Sequence, residues 1–239
     1  MTVATIVGVY RSRNADRVRR LVQPALDRGW EAAWWALDEV AEGLEAMTVG
    51  SGPGPRLGLL NEVLEHAGAG GGWVVVSDDD VTFERGDVAR LVALAGRAGL
   101  DLAQAARADA AVDHGITSFR RLSRARRTSF VEIGPVLAVG PRWRERILPF
   151  PAERGMGWGL ELEWLDLFRE GCELGIVDAV RVRHEGPRGE EYDDAGEIDR
   201  VHAELEALGY RAWSDVQVTL GTWRPWQRSP AWGRERLRA

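Results

Sequence analysis

Lysine is absent from this 239-residue chain: all 31 of its Lys+Arg residues are arginine. That absence excludes Schiff-base catalysis through lysine, the P-loop lysine and a kinase-type phosphate lysine. Any phosphate held here falls to arginine, backbone N–H groups or a metal ion. Cysteine is scarce too. With Cys172 alone, no internal disulfide can form, and its helix-end setting reads as a small buried hydrophobe rather than a nucleophile. No apolar run reaches the length that crosses a bilayer, and Met1 opens directly onto a strand-like segment; a cytoplasmic location is the expectation. Positive net charge is also missing. A charge of -6 and a pI near 5.4 argue against a generic nucleic-acid binder.

What is present is ordinary for a soluble globular protein, with 45% apolar and 28% charged residues. The chain fits one α/β domain, expected over residues 1–212, followed by a tail over 213–239 rich in tryptophan and arginine. Strands are predicted at Thr2–Tyr10, Glu31–Leu37, Trp73–Ser77, Leu100–Ala105, Phe130–Val139 and Ile176–Val182. Helices are predicted from Asn14 or Asp16 to Gly29, and over Arg56–His66, Asp87–Ala98, Arg142–Leu148, Leu160–Glu170 and Ala195–Leu208. Thr48–Pro55 reads as a Gly/Pro loop. Strand and helix alternate through the first hundred residues, the pattern of parallel βαβ units.

Asp78-Asp79-Asp80 directly follows the buried strand WVVVS. In an extended chain alternate side chains share a face, so Asp78 and Asp80 point together and Asp79 turns away. Two carboxylates at the carboxyl end of a buried strand suit a hard divalent cation, which can neutralise a diphosphate. An acidic turn is the plainer reading. The string also fits the Asp-x-Asp-x-Thr nucleophile motif of phosphohydrolases, with Asp78 as nucleophile, Asp80 as acid/base and Thr82 third. That motif usually sits on a first strand with a later lysine in support; here it lies near residue 80, and lysine is absent.

Downstream, Glu161 and Glu163 open a predicted helix. Glu161 shares a face with Trp164, Leu165 and Phe168, whereas Glu163 shares one with Asp166, Leu167 and Glu170. A carboxylate on the more apolar face is desolvated and suited to general-base work, which favours Glu161 over Glu163. Both could equally serve the positive helix N-terminus. His184 follows a strand and is placed as a third metal ligand beside the two carboxylates; His66, His114 and His202 have no such support. Glu132, inside an apolar strand, needs an arginine partner or an acceptor hydroxyl. Trp158 could stack on a sugar face or pack in the core. Arg120, Arg121, Arg124, Arg126 and Arg127 read as a solvated loop face, or else as a flexible loop that binds donor phosphate or an anionic acceptor.

Taken in order, these motifs resemble GT-A-fold glycosyltransferases, above all those related to the large inverting family. IVGVYRSRN resembles the family's first strand, GSGPGPRLGLLNEVLEHA its glycine-containing loop and helix, VVVSDDDV its Asp-x-Asp motif, GWGLELEW its base-carrying motif and VRHEG its metal-binding histidine. The resemblance spans roughly residues 3–186 and implies a mostly parallel sheet flanked by helices. It implies a nucleoside-diphosphate sugar as donor, an acceptor it leaves unnamed, and Mn²⁺ or Mg²⁺ as cofactor. It places Tyr10 near the nucleotide base, Asp38 against a uracil ring, and Arg56 and Asn61 near the donor. Asp78 would serve ribose or metal, Asp80 and His184 the metal, and Asp79 would belong to the donor side; Trp158 and Glu132 fall on the acceptor side. One departure stands out: where many relatives have Glu-Asp with the Asp as base, this chain has Glu161-Leu162. The reaction expected is displacement at the anomeric carbon, with inversion. A phosphohydrolase and a non-catalytic nucleotide- or carbohydrate-binding domain are the alternatives. The tail tryptophans Trp213, Trp223, Trp226 and Trp232 could pack on the domain, cover the site or build a homodimer contact.

Overall fold

Ala4–Tyr10 are apolar or β-branched in succession and form strand β1, buried along its whole length. The computed structural model describes residues 3–68, 71–110, 112–186 and 195–232. Alternate β1 residues feed two cores: Ile6 and Tyr10 face one, Val7 and Val9 the other. Burial on both faces is the mark of a strand inside a helix-covered sheet.

After β1 come α1 (Ala15–Leu26), β2 (Glu31–Ala36), β3 (Thr48–Ser51), α2 (Arg56–Ala67) and β4 (Trp73–Ser77). The order continues with β5 (Val81–Arg85), α3 (Val88–Ala98), β6 (Leu102–Arg107), β7 (Ala125–Thr128) and β8 (Val136–Val139). The last elements are α4 (Arg144–Ile147), α5 (Leu160–Glu170), β9 (Leu174–His184), α6 (Ala195–Ala207) and β10 (Thr219–Trp223). The sheet runs β10-β7-β9-β6-β8-β4-β1-β2-β3, with β5 pairing to β9 off this path. β1, β2, β3, β4, β6, β9 and β10 point one way; β5, β7 and β8 oppose them. This is the helix-flanked, mostly parallel α/β sheet that the alternation predicts.

Several expectations need correction. Thr48–Ser51 is not loop but edge strand β3, drawn into the sheet by parallel pairing with β2. Phe130–Val139 is not one strand: only Val136–Val139 joins the ladder, because Gly134 and Pro135 break it. The arginine run is not a solvated loop throughout. Arg126 and Arg127 lie in β7, and Arg126 has no exposed surface. Its guanidinium meets Asp178 of β9 through two 2.9 Å bonds and donates to the carbonyls of Ile116 and Ser118. A fully buried charge pair with its donors satisfied in this way is tolerated where a lone arginine would not be. The stretch from 213 onward is partly sheet, since β10 pairs with β7 and buries Trp223.

Candidate active site

Because β1, β2, β4, β6 and β9 run the same way, their carboxyl ends line one rim of the sheet, where open α/β sheets place ligands. β4 ends in the acidic triplet, and the alternation rule holds there. Asp79 turns toward β1, where its carboxylate accepts the Arg11 N–H (2.7 Å) and an Asn14 side-chain N–H (3.0 Å). Burial pushes its pKa up to about 6 against those bonds, and the neighbouring Asp80 and Asp78 add to the rise.

Asp78 and Asp80 turn together toward His184, the last residue of β9. Its Nε2 lies 2.8 Å from Asp80 Oδ1 and 3.6 Å from Asp78 Oδ2. One ligand atom from each of the three falls within 4.8 Å of the others. The approach is set by strand pairing, since His184 is the direct register partner of Val81, the residue after Asp80. Burial alone would lift the Asp80 pKa, but the His184 hydrogen bond and charge and the Gly186 N–H outweigh it and lower it. Burial would likewise lower the His184 pKa; the Asp80 bond and the charges of Asp78 and Asp80 raise it instead. A cation is therefore favoured between the carboxylates, and a divalent ion would compete with the imidazolium proton for that place. The cradle is tight. A Cβ at Gly186 would stand 2.0 Å from Asp80 Oδ2, so only glycine lets the backbone close over the carboxylate. Two carboxylates and an imidazole that converge in this way fit a divalent metal ion.

Arg56, the first residue of α2, is almost buried and donates to Asp78 Oδ1 at 2.6 Å. It puts a cation beside the same carboxylate from the side opposite His184. Asp78 also sits against the loop before β8, its N–H bonded to Pro135 O and its Oδ2 3.1 Å from where a Gly134 Cβ would be. One residue earlier, the Ile133 N–H meets the carboxyl of Glu161. Glu161 and Asp78 thus meet the same short run of backbone. Glu161 sits in the first turn of α5, and its Oε2 accepts the Gly159 N–H at 3.1 Å. Gly159 itself has φ 92°, a left-handed conformation that starts the helix at that angle. Burial pushes the Glu161 pKa up to about 7, and the nearby Glu132 charge adds to the rise. Glu163 differs: it is partly exposed and paired with Arg154 at 2.8 Å.

Glu132 is buried. Burial raises its pKa, while Arg107, Gln104 and Thr117 hold it from three sides. Arg107, at the end of β6, reaches Glu132 Oε1 (3.3 Å) with one arm and Asp109 Oδ2 (2.5 Å) with another. Asp109 in turn accepts the His184 backbone N–H at 2.9 Å. A polar chain therefore runs from beside Glu161 through Glu132, Arg107 and Asp109 to His184. Sequence reasoning missed Arg107, Asp109 and Gln104, because nothing in their spacing marks them as neighbours. His114 belongs to the same interior. Burial, then the Arg107 charge, drops its pKa to about 4, and it packs between Phe130 and Trp213.

The remaining expected residues lie less simply. The Tyr10 ring is fully buried against Trp34, with its hydroxyl shared by Thr48 and the Ala41 N–H, so the ring cannot stack on a base. Asn61 faces Phe150, exchanging two hydrogen bonds with its backbone (2.7 and 2.8 Å); its amide braces a loop instead of meeting a donor. Asp38 stands exposed at the end of β2 and ties Ser12 to the rim. Burial would raise its pKa, but the N–H bonds of Ser12 and Glu39 lower it. Trp158 is half-buried against the core beneath α5. Thr82 is exposed on β5 opposite Arg183, and Asp78 takes its partners from Arg56 and His184 instead.

No family model matches the chain, and no curated protein matches it by sequence. Its structure does match solved ones. GalNAc-T7 with UDP, GalNAc and Mn²⁺ superposes with a TM-score of 0.59 at 12% identity, over 86% of this chain and 48% of that one. TarS from S. aureus, residues 1–349, matches with a TM-score of 0.52 at 11% identity, over 87% of this chain and 65% of that one. The same enzyme in complex with UDP-GlcNAc gives 0.52 at 9% identity, over 86% and 66%. The chain spans about half the length of the GalNAc-T7 chain and just under two thirds of TarS 1–349. Among the described residues, no helix is long and apolar enough to cross a membrane. With its parallel rim, its carboxylate–imidazole triad and these structural neighbours, the chain has the GT-A fold of nucleotide-sugar glycosyltransferases.

Proposed function

We propose that this protein is a metal-dependent glycosyltransferase that moves a sugar from a nucleoside-diphosphate sugar to an acceptor hydroxyl, with inversion. One observation carries the reading. Asp78 of the candidate metal triad and a buried carboxyl titrating near neutrality, Glu161, both bond to one short backbone run, 133–135. Neighbouring folds bind UDP, GalNAc and Mn²⁺ in one case and UDP-GlcNAc in the other, which supports a UDP-sugar as donor and Mn²⁺ as the ion. The mixed oxygen–nitrogen donor set also suits Mn²⁺ better than Mg²⁺.

Asp78, Asp80 and His184 would hold the ion, whose role when bound is to neutralise the charge that builds on the departing diphosphate. Arg56, locked on Asp78, adds a fixed positive charge on the same side. Asp79 holds Arg11 and Asn14 at the end of β1, and Asp38 ties Ser12 to β2, so both shape the wall beside the nucleotide. Glu161 takes the proton from an acceptor hydroxyl opposite the leaving group. Its pKa near 7 leaves it partly ionised at neutral pH and basic enough for the task. Trp158 and Glu132 lie on the acceptor side of Glu161.

The test is a transfer assay with a panel of UDP-sugars and acceptors in Mn²⁺, following UDP release and product. Asp80→Asn and Glu161→Gln should each lower kcat by about 10²–10⁴, and Glu163→Gln should change it less than twofold. Full activity in folded Asp80→Asn or Glu161→Gln protein would overturn the reading.

A further inference from the structure

The segment that leads into β7 ends in SFRRLSR (118–124), and the chain after β10 reads RPWQR (224–228). Neither stretch contains an acidic residue, although the whole chain carries a net charge of -6. The two are fastened side by side. The Arg124 N–H donates to Trp223 O (2.7 Å), its guanidinium holds Pro225 O (2.7 and 3.2 Å), and Arg224 reaches Leu122 O (3.4 Å). Arg97 of α3 joins them, donating to Arg228 O and lying 5.2 Å from the Trp223 ring centre. The base is rigid, because the buried Arg126–Asp178 pair bonds Ile116 and Ser118 carbonyls and the Arg120 N–H from beneath.

Two large apolar side chains stand out of this basic surface: Leu122 is 64% exposed and Trp226 is 69% exposed. Leu122 also has φ 58°, and it alone among the described non-glycine residues takes a positive value. Glycine or asparagine would fill that position without strain. Strained backbone that turns an aliphatic side chain outward points to a use for the side chain. Leucine and tryptophan tips ringed by guanidinium groups match a lipid interface: the tips enter the headgroup–acyl boundary, and the arginines meet headgroup phosphates. A soluble polyanion would be served by the arginines alone and would gain nothing from the protruding leucine.

The patch also adjoins the rim. Arg181 of β9 stacks on Phe119 at 4.1 Å, and the Phe119 N–H bonds Arg107 O at the end of β6. His184 lies three residues further along β9, about 10 Å on. We propose that Leu122, Trp226 and the arginines around them form a docking surface for an anionic lipid bilayer, which brings the rim of the sheet to the membrane. This holds whatever donor the rim accepts.

Flotation with vesicles of equimolar phosphatidylglycerol and phosphatidylcholine should carry the protein, and phosphatidylcholine alone should not. Combined Arg120→Gln and Arg121→Gln should weaken binding about thirtyfold. Leu122→Gly relieves the strain, so it should keep or raise Tm, yet weaken binding by about tenfold or more; Trp226→Ala should weaken it similarly. Absence of binding to the anionic vesicles overturns the proposal. So does binding to them, or to inorganic polyphosphate, that ignores both Leu122→Gly and Trp226→Ala, because the surface would then be purely ionic.

Discussion

Glu161 titrates near 7 in the folded chain, against 4.5 for an unperturbed glutamate, because α5 and the loop before β8 exclude water from it. A carboxyl whose pKa is raised on folding lends its full stability below about 4.5 and loses it as pH rises through about 7. Glutamine carries no such penalty. Glu161→Gln should therefore be more stable than the parent at pH 8 by up to about 3 kcal/mol, with the difference gone at pH 4. Urea melts at the two pH values measure this, and a gap of equal size at both would assign the effect to packing instead. In the parent, kcat should climb with pH through an inflection near 7, and that limb should vanish in the variant. The burial of Glu161 was legible in the sequence because its helical face is apolar, and the convergence of Asp78 and Asp80 because a strand alternates. Tyr10 and Asn61 were not. A position at a strand end or helix start says which region a residue occupies; whether Thr48 or Phe150 claims its polar atoms is decided by folding.

At the scale of elements, β6 and β9 carry more than their own ladder. Arg107 ends β6 between Glu132 and Asp109, and Asp109 holds the backbone of the last β9 residue. Arg107→Ala would leave a buried glutamate without its cation, a loss on the order of 3–5 kcal/mol. Arg107→Gln keeps some hydrogen bonding and should cost less, yet both variants should bind Mn²⁺ more weakly, since Asp109 no longer has its anchor. Calorimetric titration of the folded Arg107→Gln protein with Mn²⁺ checks this; unchanged affinity would mean that the chain to His184 transmits nothing. These contacts were invisible in the sequence, as were β5, β7 and β10. ARRT and TLGTW have mixed polarity and no apolar alternation, and the alternation in VTFER is only one apolar pair long. They become strands because the edge of β9 opposite β6 takes up β7 and then β5, because Asp178 supplies a charge for Arg126, and because β7 in turn pairs with β10. The strands read correctly, β1 and β4 among them, are those whose own side chains demand burial.

For the whole molecule, the converging strand ends make binding at the rim a property of the fold, so occupancy should register in global stability. At about 100 times the dissociation constant a ligand adds about 2.7 kcal/mol, which for a domain of this size raises Tm by roughly 5–10 °C. UDP with Mn²⁺ should give such a shift. UDP in a chelator should give much less, and Asp80→Asn should abolish the difference; a thermal melt measures all three. Equal shifts with and without the metal would argue that the triad is not a metal site.

The opposition of Val81 and His184 across β5 and β9 gives the site a dependence that no motif comparison would detect. Adjacent residues of a strand face opposite sides, so β5 acts as a ruler whose zero mark is Asp80. One residue inserted between Asp80 and Val81, with all three ligands kept, would turn either His184 or the carboxylates to the wrong side. The bulge between Phe83 and Arg85 lies beyond the mark, where slack is harmless. Two chains could thus spell the same Asp-x-Asp and His and differ in whether they bind a metal, according to the count of residues that say nothing chemically.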